Sequence, residues 1–309
     1  PCRYWLHRLQ YKKAGYLKNK SLPVGDNMKA INPSKILNPT FKEYFIYSVE
    51  DTAIASGTGT VFEDTIVRFD RDSNFEANKL IHVATDDRLY YRMMDNAYGR
   101  YYTNAKVDLR TISGKALSGI TVNGFTPCIL PAPLLIKGGT NLTYSFADFS
   151  GSANSVRLSM HGGKVKKGFA PWMGSRDESG NFKLDDAGNV VPFAARVPFF
   201  YTENFTVAAN STSNINISIN YDADFLVHRL TAFRTGTALI SIQDGSVDRS
   251  WMDKPVHIDN LFGNAQFPNM LSAPRHIRYG SVINISIQDL SGSSNPMSLT
   301  FIGEKLYHK

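Results

Sequence analysis

The residues with the most chemical potential lie at the N-terminus. Between residues 1 and 35 the chain carries Arg3, Arg8, Lys12, Lys13, Lys18, Lys20, Lys29 and Lys35 against a single acid, Asp26. The whole chain of 309 residues has a net charge of +7, and this segment supplies all of it, because acids and bases balance in the remainder. Tyr4, Trp5, Tyr11 and Tyr16 are interleaved with the cations. Two partners suit that mixture. Lys and Arg neutralise phosphates while rings stack on bases, or Lys and Arg meet carboxylates of a neighbouring protein whose pockets take the rings. Pro23, Pro33 and Pro39 follow, so the segment reads as extended chain laid on a protein surface, and anchoring is favoured over nucleic acid.

Elsewhere the chemistry is sparse. The sequence has no HExxH, paired CxxC, GxSxG or GxxxxGK[ST] pattern, so neither catalysis nor a cofactor is expected. The acidic pairs Asp70/Asp72 and Asp222/Asp224 have the oxygens to hold Ca²⁺ in a loop. The favoured alternative is a turn whose short polar side chains bond the backbone ahead of Phe75 and Phe225. Arg100 and Arg249 each follow an Asp by five residues, which suggests an internal Asp–Arg bridge. The seven histidines are scattered. Trp5, Trp172 and Trp251 read as core or interface anchors, with Trp251 the best candidate for a surface that stacks a ligand. Cys2 and Cys128 make no disulfide framework, and no apolar run approaches the roughly 20 residues that cross a bilayer.

The elements that position these residues are repeated. Leu130 to Val165 aligns without a gap on Leu271 to Leu306, at an offset of 141. The shared residues include Ala132-Pro133 with Ala273-Pro274, Gly139 with Gly280, and Lys164 with Lys305. Asp148-Phe-Ser-Gly-Ser-Ala-Asn154 lies over Asp289-Leu-Ser-Gly-Ser-Ser-Asn295. Pro starts an extended segment, and the Asp-Ser-Gly-Asn cluster supplies the local hydrogen bonds and positive φ of a hairpin connection. Asp72 to Leu80 matches Asp222 to Leu230 at an offset of 150, and Asp95 to Arg100 matches Asp244 to Arg249 at 149. Three blocks in one order point to a duplicated domain.

Between the turns, hydrophobic residues alternate, as in Ile283, Ile285 and Ile287, or Met297, Leu299 and Phe301. Short alternating runs between turn signals predict an all-β chain of two tandem, homologous, jelly-roll-like β-sandwich domains. The expected organisation is an extended basic arm at 1–38, a first sandwich at 39–165, a connector with a hairpin at 166–195, and a second sandwich at 196–309.

On the Asp222-Ala-Asp-Phe225 block, the Asp244 to Arg249 loop, Leu271-Ser-Ala-Pro274 and the terminal Asp289 to Tyr307 segment, the chain resembles bacteriophage virion proteins of the jelly-roll or β-sandwich kind. The resemblance implies a non-enzymatic, capsid-associated subunit located in the virion and assembled in the host cytoplasm. Its partners would be copies of itself and coat, portal or tail proteins, with packaged nucleic acid an alternative partner for the arm. A receptor- or carbohydrate-binding tail module, using Trp251, is the second reading.

Overall fold

The computed structural model describes residues 39–309 apart from Asn104, 116–126, Glu178, 246–247 and 265–266. The first half folds as β1 (Thr40–Ile54), β2 (Glu63–Arg68), β3 (Asn74–Ala84), β4 (Leu89–Asp95), the short β5 (Arg100–Tyr101) and β6 (Val107–Asp108), one-turn α1 (Leu109–Ile112), β7 (Gly114–Lys115), β8 (Cys128–Ile136), β9 (Asn141–Asp148) and β10 (Asn154–Lys167). The second half repeats it. There follow β11 (Ala195–Val207), β12 (Thr212–Ser218), β13 (Asp224–Arg234), β14 (Ala238–Asp244), β15 (Arg249–Ser250), β16 (Val256–His257), one-turn α2 (Ile258–Leu261), β17 (Asn269–Ile277), β18 (Val282–Asp289) and β19 (Asn295–Tyr307).

In the first sandwich, one sheet runs β1-β10-β3, with β8 and β7 beside β3, and the other runs β2-β9-β4 with β5 and β6 beside β4. In the second the orders are β11-β19-β13-β17 and β12-β18-β14, with β15 and β16 beside β14. Chain-distant strands are neighbours in each sheet, and the first and last long strands pair along nearly their whole lengths. That is the double Greek key of a jelly roll, so the all-β, two-sandwich expectation holds. Among the described residues no helix is long and apolar enough to cross a membrane.

Alternation explains the strands. β4 and β14 share one burial rhythm, with every second residue buried, as a strand with one face in a sandwich core requires. Tyr47, Phe69 and Phe75 cluster in the first core at ring separations of 4.2 and 4.9 Å from Tyr47, and Tyr201 meets Phe225 at 4.7 Å in the second. Gly162 and Gly303 let β10 and β19 run close to the neighbouring strand. A Cβ on either would lie 2.1 Å from a carbonyl oxygen, of Glu76 or Leu226.

The turn before the last strand is built identically in both copies. Asp148 Oδ2 accepts from Gly151 N–H (3.1 Å) and Oδ1 from Asn154 Nδ2 (3.2 Å). Asp289 does the same with Gly292 (3.0 Å) and Asn295 (3.3 Å). Gly151 and Gly292 sit at φ 81° and 70°, where a side chain is strained. The connector is bonded chain rather than loose coil. A hairpin turns at Asp185 to Asn189, and Ser175 is buried against Pro192 and the C-terminal Lys309.

Candidate functional site

The two sandwiches meet through one broad surface. The outer face of the β1-β10-β3 sheet, which points away from its own core, carries Tyr44, Ile46 and Ser48 on β1 and Ser159 and His161 on β10, and all five are buried. They are covered by Trp251, Met252, α2 and the start of β17. Tyr44 and Ile46 thus join the hydrophobic cluster of the second sandwich.

Hydrogen bonds fix the orientation. Ile46 N–H donates to Trp251 O (3.0 Å) and Ile46 O accepts from Asp253 N–H (3.2 Å), so a short stretch of the second sandwich pairs with the free edge of β1. Ser48 N–H donates to Asp253 Oδ1 (2.9 Å). Asn260 Nδ2 reaches Arg157 O and Ser159 Oγ at 3.0 and 3.2 Å. Asn269 Nδ2 donates to Leu261 O (2.6 Å) and Tyr44 Oη (3.4 Å), and Tyr44 Oη lies 2.7 Å from His161 Nδ1. Arg275, 1% exposed, donates to Tyr44 O (3.2 Å), pairs with Glu43 (3.2 Å) and lies over the Trp251 ring. Burial pushes the Tyr44 hydroxyl up. Burial, with the charge of Lys79, pushes His161 down to about 3, so its imidazole is neutral at pH 7. The Tyr44–His161 contact is therefore a hydrogen bond between neutral groups, which a buried junction tolerates better than an unpaired charge.

A second repeated device lies beside it. Lys164 sits 4.0 Å from the Phe45 ring centroid and Lys305 4.2 Å from Phe199, and each is also near the following tyrosine, Tyr47 or Tyr201. Asp70 and Asp72 take Lys164, Asp72 also takes Lys166 (3.0 Å), and Asp222 takes Lys305 at 2.8 Å. The Lys305 hydrogen bond holds the Asp222 carboxyl below its ordinary value. Lysine ammonium groups therefore stand where a cation was considered for Asp70/Asp72 and Asp222. Asp224 turns elsewhere: it accepts from Tyr279 N–H (2.9 Å), and its Oδ2 lies 2.9 Å from His276 Nε2 and 3.0 Å from His308 Nε2. Two of the histidines that look scattered in sequence thus meet on one carboxylate. Among the described residues no group of three or more His, Cys, Asp or Glu is placed to hold a metal ion.

Arg3, Tyr4, Trp5, Arg8, Tyr11, Lys12, Lys13, Tyr16, Lys18 and Lys20 lie outside the described residues. Trp251 is 0% exposed, so its ring offers no surface to a ligand; that expectation is corrected. The Asp–Arg bridges also change. Asp95 and Arg100 face each other as backbone partners, as do Asp244 and Arg249. Yet Asp95 accepts from Tyr102 Oη (2.9 Å), Arg100 lies over the Tyr98 and Tyr102 rings, and Arg249 pairs with Glu43 across the junction. Arg275, Asn260 and Asn269 were not singled out by sequence. The one available signal is that Arg275 and Asn269 stand where the first copy has Leu134 and Cys128.

No protein-family model matches the chain, and no curated protein sequence matches it. Similar solved structures include the STIV MCP, a viral capsid protein, with 13% identity over 84% of this chain and 97% of that one at a TM-score of 0.23. The PBSX exported protein XepA has 14% identity over 88% of each chain at 0.18. The CBM22-1-CBM22-2 tandem domain from Paenibacillus barcinonensis Xyn10C has 9% identity over 87% and 97% at 0.17. Likeness at these TM-scores adds no weight to the jelly-roll order seen in the strands themselves, so function has to be read from the chain's own surfaces.

Proposed function

We propose that the chain is a structural subunit of a bacteriophage virion, as shell, decoration or minor capsid protein, that works by self-assembly and without catalysis. The observation that carries this reading is the junction. One sandwich presents its outer sheet face to the flank of the other, and backbone pairing, buried amides and an ion pair from buried Arg275 to Glu43 join the two. A fold class alone fixes no function, but jelly rolls are recurrent capsid building blocks. A block of two similar units tiles a symmetric lattice with few distinct contacts. The arm at 1–38 is assigned to anchoring on a neighbouring coat, portal or tail protein, with packaged nucleic acid as the competing target.

The test is the mass of the purified chain by light scattering, at low and high salt, with and without residues 1–38. Assembly that is lost with the arm supports the reading, and electron microscopy then shows the particles. A monomer under every condition overturns it and redirects attention to ligand binding.

A further inference from the structure

We infer that the outer face of the β11-β19-β13 sheet docks on the flank of the first sandwich of another copy of this chain, reproducing between chains the contact that joins the two sandwiches within one. The inference rests on the self-assembly reading and names the surface and partner through which it acts.

The two outer faces match row by row. On the first sandwich, backbone registration sets Ile46, His161 and Lys79 across one row, Ser48, Ser159 and Ile81 across the next, and Glu50, Arg157 and Val83 across the third. On the second, the same strands carry Phe200, Ile302 and Arg229, then Thr202, Thr300 and Thr231, then Asn204, Ser298 and Phe233. Each face has an apolar residue on its edge strand and a cation on its third strand in the first row, a hydroxyl pair in the middle row and an apolar residue closing the third; the types differ at His161 against Ile302, Ile81 against Thr231, Glu50 against Asn204 and Arg157 against Ser298. The Thr202 and Thr300 hydroxyls are bonded at 3.0 Å. Ile46 and Ser159 are 0% and 1% exposed, whereas Phe200 and Phe233 are 59% and 62% exposed. Two large rings in the open on a sheet face, bordered by the edge strand β11, mark a surface that another chain covers.

What covers it follows from the junction. The covering flank of the second sandwich consists of Trp251 to Asp253, α2 and the start of β17, and the first sandwich has the same parts in the same order. Its hairpin places Tyr102 and Thr103 where Trp251 and Met252 stand, α1 lies 149 residues before α2, and Ile129 pairs with Lys79 as Met270 pairs with Arg229. This flank is also uncovered, with Tyr101 at 52% and Ile129 at 70% exposure and Thr111 of α1 exposed. Within the chain, Lys79 Nζ donates to Met270 O. Arg229, at the matching position, is placed to reach Ile129 O of the next copy. The contact is face to flank, a heterologous interface that uses a different patch on each partner.

The test uses full-length chain with charge placed on one side at a time, Phe200→Glu with Thr202→Arg on the face, or Ile129→Glu with Thr111→Arg on the flank. Thermal unfolding checks that each variant folds. Under conditions where the wild type assembles, each variant alone is expected to lose assembly. The two mixed retain one intact face and one intact flank, so they give a 1:1 complex that grows no further. Variants that assemble as the wild type does, or that form dimers unmixed, overturn the face-to-flank contact while leaving self-assembly standing. A wild type that never assembles overturns both.

Discussion

The outer faces of the two large sheets have corresponding strands and registration and share chemical type at about half of their positions, yet one is sealed and the other open. The difference between Ile46, in the dark beneath Trp251, and Phe200, 59% exposed, owes nothing to local structure. It is set by which flank lies within reach of which face. In a chain of two sandwiches with one strand order, the first unit's face finds the second unit's flank, and one face and one flank are left over by connectivity alone. A chain of two like sandwiches thus makes one internal interface and leaves one open face and one open flank.

The comparison breaks most sharply at its centre. Ile46→Asp puts a carboxylate into a buried, apolar, hydrogen-bonded site and is expected to cost more than about 4 kcal/mol. Phe200→Asp at the matching position is expected to change monomer stability by no more than about 0.5 kcal/mol. Denaturant midpoints for the two variants measure the gap, and equal effects would mean that the junction does not hold the sandwiches together.

His161 gives the next largest contrast, because Ile302 occupies its place in the second sandwich and does not titrate. Its folded value, pushed down to about 3 by burial, lies below the ordinary value near 6.5. The stabilisation is thus whole above about pH 6.5 and drains away as the pH falls toward 3, at up to about 1.4 kcal/mol per pH unit. His161→Gln, which keeps an acceptor toward Tyr44, should flatten that part of the stability profile measured by urea unfolding; an unchanged acid slope would place its origin elsewhere.

The lysine seats should behave alike, since both have the same ring pair and a carboxylate within reach, Asp70 and Asp72 for Lys164 and Asp222 for Lys305. Lys164→Met and Lys305→Met are each expected to lower stability by about 1–3 kcal/mol. A large effect at one and none at the other, in calorimetry, would show that the two sandwiches use the seat differently. Smallest is the turn: Gly151→Ala and Gly292→Ala should each cost about 1 kcal/mol, because both glycines hold positive φ. Thermal midpoints that fall by similar amounts would sharpen the equivalence.

Much of this architecture is legible in the residues. The Asp-x-Ser-Gly-Ser-x-Asn turns, the period-two strands and their repetition predict two β-sandwiches, and the turns are bonded as their side chains require. The Asp70/Asp72 region is legible as a turn, although its carboxylates bond Ser73 Oγ and lysines some 90 residues later in the chain rather than the backbone. The junction was far less legible. Nothing in the sequence marks Asn260 and Asn269 before the fold sets them against Ser159 and Tyr44, and Trp251, favoured as a core or interface anchor, also carries the ligand-surface reading that its burial removes.

Alternation, turn chemistry and charge balance act over a few residues, so the sequence by itself determined the strands, the repeat and the location of the net charge. Tertiary structure alone decided which of two matching faces is covered, that Trp251 is sealed, and that two distant histidines meet on Asp224. Those outcomes depend on packing between segments up to 231 residues apart, as in the bond from Arg275 to Tyr44. A side-chain period reports which way a residue points; only the assembled chain settles whether anything lies there to meet it.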